Sequence, residues 1–259
     1  MMTGEEQAWV HGLWDEVSDF EASQCERASA HLMGALCAAT GAWNATWAGA
    51  VRIGGAAQGD PLKGWRVASV QALKPVPPHE DEGHFKEILK EWDRREIDPS
   101  FLLPMTGVGA FRTYAFRRDL PAGWFESPFF RRYYEAVGTR DAVFVAFPLN
   151  QDCESHFGFY AGRPFTPGEI ALLAYALRGI KWFHRHLMMS SGLLAASAPL
   201  TPAERRVLQL LLTKASEKEI ARQAEIATST AHQHVTSIFR KFAVRSRAEL
   251  MSLWLKSLG

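Results

Sequence analysis

The 259-residue chain is 47% hydrophobic and 22% charged with a formal net charge of +1, an ordinary globular composition with room for two modest domains. Its longest apolar stretch, around Ile170–Leu177, is followed by Arg178 and Lys181 and is too short to cross a bilayer. The opening MMTGEEQAWVHG has acids where a targeting segment carries Lys or Arg, and Cys25, Cys37 and Cys153 lack metal or redox spacing; a cytoplasmic protein with reduced thiols is expected.

Helical periodicity covers Glu5–Phe20 and Ser23–Thr40. Strand-like runs follow at Ala45–Ile53 and Trp65–Leu73, separated by RIGGAAQGDPLKG, in which Gly54, Gly55 and Gly59 fit a hairpin turn. Next come a charged helix over Glu80–Glu96, a short strand at Gly109–Phe116 and a helix over Pro121–Val137. Two further strands, Ala142–Leu149 and His156–Ala161, flank the turn NQDCES. Thr166-Pro167-Gly168-Glu169 has the form of a capping box with Pro in the first turn, and the helix it opens is expected to reach Met189. Five strands among helices predict an α+β domain over residues 1–189, one antiparallel sheet covered by helices. The small, uncharged SSGLLAASAP of residues 190–199 reads as a flexible linker.

Beyond it the charge changes sign. Leu200–Gly259 holds ten Lys/Arg against five Asp/Glu, whereas the rest holds 19 against 23, so the tail suits a polyanion. Thr201-Pro202-Ala203-Glu204 repeats the capping-box pattern and opens a helix burying Val207, Leu208, Leu210 and Leu211. After Lys214–Ser216 a second helix begins at Glu217 and buries Ile220 and Ala224. A turn at Glu225–Ala227 leads to a third helix, Thr228–Phe242, with Val235, Ile238, Phe239 and Phe242 on one stripe. Its opposite face carries Ser229, His232, Gln233, Thr236 and Arg240, with Lys241 near its end and Thr228 as a late cap. Short polar and basic side chains on such a helix suit entry into the major groove. Ser246-Arg247-Ala248-Glu249 then opens a fourth helix with Leu250, Leu253, Trp254 and Leu258 on its apolar side.

The elements TPAE, KEIA, TSTAHQHV, IFRKF and VRSRAEL, in this order, resemble the LuxR-type (GerE-type) helix-turn-helix domain. The resemblance implies an all-α domain over residues 200–259 that binds double-stranded DNA, with a homodimer paired through the fourth helix. It places His232, Gln233 and Thr236 at base edges, where Gln can read adenine. Lys218, Thr230, Arg240 and Lys241 would lie near phosphates, and Thr228 and Ser229 complete the DNA-binding set. Ala215, Ala224, Ala227, Ala231 and His232 stand where the family usually has Gly, Leu, Ser, Val and a basic residue.

The front domain is rich in aromatics. Trp43, Trp47, Trp65, Phe111, Trp124, Phe129, Tyr133 and Phe144 are the candidate lining of a pocket for a small-molecule effector, and the same residues would serve equally well as core. The layout around GWFESPFFRRYYEAV and FGFYAGRPF resembles a GAF-like sensory domain. It resembles the acyl-homoserine-lactone-binding kind less: Trp43 and Trp47 keep one interval of that pattern, but its Tyr is absent and Asp60-Pro61 lies too far on. Cys153 with His156 lacks further metal-ligand partners, and His184 and His186, two apart on a helix, point to different faces and cannot share an ion. No nucleophile with an oriented base is visible, so neither an enzyme nor a cofactor is expected. The reading is a LuxR-type regulator with an effector-sensing front domain. The alternative is a ligand-independent regulator whose front domain serves dimerisation or binds a protein partner.

Overall fold

The computed structural model describes residues 2–53, 59–77, 83–91 and 97–256. The chain divides into two compact units, Met1–Asp15 with Ala30–Lys181, and Glu16–Ser29 with Trp182–Gly259.

The first unit is α+β. Strands β1 (Asn44–Arg52), β2 (Trp65–Ala72), β3 (Arg112–Ala115), β4 (Asp141–Asn150) and β5 (Cys153–Ala161) form one antiparallel sheet in the order β2-β1-β5-β4-β3. The register places Gly158 of β5 between Thr46 of β1 and Phe144 of β4. Helices α1 (Gly4–Ser18) and α2 (Cys25–Thr40) precede the sheet and have parts in both units. Helix α3 (Gly83–Glu91) packs on β2, α4 (Phe116–Asp119) on β3 and β4, and α5 (Pro128–Tyr133) lies between single turns of 3-10 helix; α6 (Pro167–Arg178) packs on β4 and β3. β5 is buried at every position, the pattern of a strand covered on both faces. The expected hairpin glycines Gly54 and Gly55, and the ends of the expected helix at 80–82 and 92–96, lie outside the described residues.

The helix that opens with the Thr166–Glu169 capping box does not run to Met189. It stops at Arg178, and α7 (Lys181–Ser190) begins after Gly179 and Ile180. The cause lies in α1: the Trp14 indole N–H donates to the Ala176 carbonyl at 2.8 Å, an acceptor that a continuing helix would give to Ile180. The indole ring also presses on Gly179, where a Cβ would stand 2.2 Å from it. Likewise the helix expected over Pro121–Val137 is divided: Ser127 has extended backbone and caps α5 by accepting the Phe130 N–H, and the chain turns at Gly138 with φ 78°.

In the second unit α7 is followed by α8 (Pro202–Leu211), α9 (Glu217–Ala224), α10 (Thr228–Lys241) and α11 (Arg247–Lys256). Its core combines Met189, Val207, Leu208, Leu211, Ile220, Val235, Ile238, Leu250 and Trp254, with Ala22 packed against it. Residues 190–199, read from the sequence as a flexible linker, form a hydrogen-bonded loop. Gly192 at φ 69° turns the chain, the Gly192 and Leu193 N–H groups donate to the Met189 and Met188 carbonyls, and Leu200 N–H donates to Ser191. Ser197 N–H reaches the carbonyl of Lys241, and Leu193 is buried. Any Cβ at position 192 would stand 2.8 Å from the Leu200 backbone nitrogen.

Candidate DNA interface and ligand cavity

The helices of the second unit are set by their caps. At α8 the Thr201 hydroxyl accepts the Glu204 N–H at 3.2 Å and Glu204 Oε2 accepts the Thr201 N–H at 2.8 Å. Ser216 and Glu219 repeat the box at α9, and Glu225, with φ 57°, ends that helix. α10 starts differently. Its N-cap is Ala227, which provides no side-chain hydrogen bond, and Thr228 stands inside the helix as its first residue, which corrects the expectation that Thr228 replaces the missing cap. Arg247 at the start of α11 donates to the carbonyls of Leu211 (2.7 Å), Ala215 (2.6 Å) and Thr213, tying the end of α8 to α11.

α10 buries Ala231, Val235 and Ile238. Ser229, His232, Gln233, Thr236 and Arg240 are exposed together on its other side, at the three- and four-residue spacing that aligns side chains along a helix. Thr228 and Lys218 are exposed and Thr230 is half-buried. His232 Nδ1 lies 3.0 Å from Glu217 Oε2 at the start of α9. Lys241 departs from the expected set. Its side chain is 16% exposed, and Nζ donates to Glu204 Oε2 at 2.7 Å and to the Pro199 carbonyl at 2.8 Å, so it is engaged inside the unit and turned away from the stripe that ends in Arg240. Helical spacing carried that signal: Lys241 follows the buried Ile238 by three residues. Glu204 also accepts the Ser237 hydroxyl at 2.7 Å. Burial opposes its charge, but Lys241, the Thr201 N–H and Ser237 outweigh that and hold its carboxyl down at about 2.

The first unit encloses a cavity of about 110 Å³. One wall is the sheet: Thr46, Ala48 and Ala50 of β1, Trp65, Val67 and Val70 of β2, Tyr114 of β3, Phe144 of β4, and Glu154, His156, Gly158 and Tyr160 of β5. Phe85, Ile88 and Leu89 of α3, with Phe101, Pro104 and Met105 after it, close the other side. Gly158 makes the floor: a Cβ there would stand 2.7 Å from the Phe144 ring and 3.0 Å from Thr46 Oγ1.

Of the eight aromatics read as candidate lining, Trp65 and Phe144 lie on the cavity. Trp47, fully buried, belongs to the other face of the sheet because it alternates with Thr46 and Ala48, and its indole donates to Ser155. Phe111 stacks edge-on against Phe147 and lies beneath the Arg178 guanidinium. Trp124 is core behind Phe116, with its indole on Asp98, and Trp43, Phe129 and Tyr133 pack with it in the same aromatic cluster. Trp43 donates to Thr139, and the Tyr133 hydroxyl to Glu91.

The sequence reading missed the polar end of the cavity. Glu154, 2% exposed at its side chain, accepts both terminal nitrogens of Arg112 at 2.8 and 2.9 Å and the Gly109 N–H at 2.8 Å. Desolvation would raise its pKa; His156 and Arg112 beside it overcome that and hold it at about 2. The Tyr114 hydroxyl lies 3.1 Å from His156 Nδ1, and burial pushes Tyr114 well above its ordinary range. Polar residues two apart at Glu154 and His156, in a strand otherwise apolar on that face, were the available signal.

Residues 198–254 match the family described as bacterial regulatory proteins, luxR family. The second unit therefore carries a luxR-family domain. No curated protein matches the chain. Among solved structures, SdiA in complex with octanoyl-rac-glycerol is 14% identical with a TM-score of 0.49, covering 100% of this chain and 98% of that one. Escherichia coli SdiA is 13% identical, with a TM-score of 0.46 over 96% of each chain. The VqsR LBD domain from Pseudomonas aeruginosa is 11% identical, with a TM-score of 0.44, covering 72% of this chain and 98% of that one. The luxR-family match begins just before Thr201 and takes in all of α8, α9 and α10 and most of α11. Among the described residues no helix is long and apolar enough to cross a membrane.

Proposed function

We propose that this protein is a LuxR-type transcription regulator that binds double-stranded DNA as a homodimer and whose DNA binding is controlled by a small molecule held in the cavity of the first unit. The observation that carries this reading is the exposed stripe Ser229, His232, Gln233, Thr236 and Arg240 on α10 of a luxR-family domain. His232 and Gln233 present donors and acceptors to base edges; Arg240 and Lys218 serve phosphates, which give affinity without sequence. The apolar cavity with a polar end supports the effector half of the reading. Control requires that the effector favour one DNA-binding state over another by about 1–3 kcal/mol.

The test is selection of bound fragments from genomic DNA by the full-length protein at defined salt. An inverted repeat is expected, matching a dimer with two α10 helices. In His232→Ala/Gln233→Ala the preference at one or two positions of each half-site should relax while folding is unchanged. Full retention of the wild-type preference in that variant rules out base reading by these residues.

A further inference from the structure

His232, on the exposed stripe of α10, has a carboxylate beside it on another helix. Its Nδ1 lies 3.0 Å from Oε2 of Glu217, the first residue of α9. The two helices are fixed beneath this pair, with Ile220 and Ala221 of α9 and Ala231 and Val235 of α10 buried in one core. The Ser216–Glu219 capping box sets the first turn of α9 and so places Glu217. An ionised carboxylate only accepts, so Nδ1 carries a proton and donates to Glu217. In neutral imidazole the other nitrogen, Nε2, is then a bare acceptor. It is directed away from Glu217, on a side chain that is 68% exposed. An unattached imidazole can place its proton on either nitrogen and so meets a donor or an acceptor alike. Here the other tautomer would set the Nδ1 lone pair against the Glu217 carboxylate, two acceptors with no proton between them.

Resting on the reading of α10 as the helix that enters the major groove, we propose that Glu217 is a positioning residue that fixes the His232 tautomer, so that Nε2 accepts from the amino group of an adenine or a cytosine. In the major groove those groups are N6 of adenine and N4 of cytosine, whereas guanine O6 and thymine O4 are acceptors and repel a bare Nε2. The charge of Glu217 is itself repelled by phosphates, so what it contributes is discrimination and not affinity. A carboxylate in the first turn of α9 also complements the helix dipole. That role would alter the stability of the helix and leave base choice untouched.

The test is selection from a random duplex library by the full-length protein at pH 8, where imidazole is neutral. His232→Ala should relax the preference at one position of each half-site. Each base pair carries one amino group in the major groove, which purine in place of adenine, or a pyrimidinone in place of cytosine, removes. Removing it at that position should weaken wild-type binding about fivefold to tenfold beyond its effect on His232→Ala. In Glu217→Gln, whose amide can accept from Nδ1–H or donate to a bare Nδ1, that excess should shrink. In Glu217→Lys, whose ammonium only donates, Nε2 takes the proton and the excess should vanish. An excess that stays intact in both Glu217 variants while their melting temperatures shift is the helix-dipole result and overturns the proposal. So does an amino deletion that weakens the wild type and His232→Ala alike, or a His232→Ala protein that relaxes no position. Each of these leaves DNA binding by α10 standing. A wild-type protein that enriches no sequence removes that reading, and this inference with it.

Discussion

Lys241 Nζ meets Glu204 Oε2 at 2.7 Å, joining the last turn of α10 to the first turn of α8. The same carboxylate completes the α8 capping box and accepts the Ser237 hydroxyl, so a residue whose neighbour Arg240 faces solvent is a structural strut. Lys241→Ala should destabilise the second unit by about 3 kcal/mol, because it leaves Glu204 buried and uncompensated. Lys241→Ala/Glu204→Ala should cost less than the two single changes together. Hydrogen exchange of peptides from α8 and α10 reads both results. A Lys241→Ala protein with full protection but weakened DNA binding would return this lysine to the phosphate set.

The pH dependence follows from the same carboxyl. Its folded-state pKa of about 2 lies below the ordinary 4.5, so its contribution is fully present above pH 4.5 and is lost as the pH falls from there toward 2. The loss amounts to at most about 3 kcal/mol. Glu204→Gln should flatten this acid limb of the exchange profile of α8 and α10 while lowering stability at neutral pH.

Arg240 gives the opposite profile. It is exposed at the end of the α10 stripe, so on the proposed DNA-binding reading Arg240→Ala should leave the melting temperature unchanged and weaken binding to all sequences alike. The slope of log affinity against log salt should fall by about 0.9 for the lost phosphate contact. A change confined to one base position would instead make Arg240 a base reader.

Gly158 tests the cavity floor. The Cβ introduced by Gly158→Ala would start 2.7 Å from the Phe144 ring, so β4 and β5 must part or the ring must rotate. A loss of about 1–3 kcal/mol is expected in urea unfolding. Adding Phe144→Leu should recover part of it by making room, and failure of that recovery would mean that Phe144 is not the obstacle.

The three cysteines are buried and stand outside any disulfide. Desolvation pushes Cys25 up to about 12 and Cys37 to about 11, and raises Cys153. The thiolate is the reactive form, so a disulfide reagent at pH 8 should leave all three unlabelled in the native protein and label all three in denaturant. Rapid labelling of one thiol in the native protein would show local opening at that residue.

Much of the fold could be read from the sequence because it is written in local chemistry. The capping boxes at Thr166 and Thr201 sit where the T-P-x-E pattern put them, and β2 begins at Trp65 as its β-branched and aromatic run implied. The side of the sheet that each aromatic faces could not be read. β1 and β5 are covered on both faces, so the polar–apolar alternation that assigns faces is nearly absent, and Trp47 resembled a pocket residue as well as Trp65 did. Helix ends set by distant residues were equally hidden: nothing near Gly179 announces that Trp14, far back in the chain, takes the Ala176 carbonyl. The α10 stripe was legible because a helix with one buried and one exposed face keeps its periodicity in plain view.

The second unit is not contiguous in the chain: it takes in residues 16–29 as well as residues 182–259. Ala22 packs on its core, and Cys25 is held by a hydrogen bond to Ser190. During synthesis the early stretch leaves the ribosome long before its partners exist. The sheet between them can close first, while Ala22, packed on that core in the finished protein, waits for the end of translation. Such late, long-range closure is slow and leaves apolar surface uncovered in the interval. A nascent or truncated chain lacking the tail therefore exposes an uncovered remnant of the second unit, and a fragment made of the tail alone begins without part of its own core.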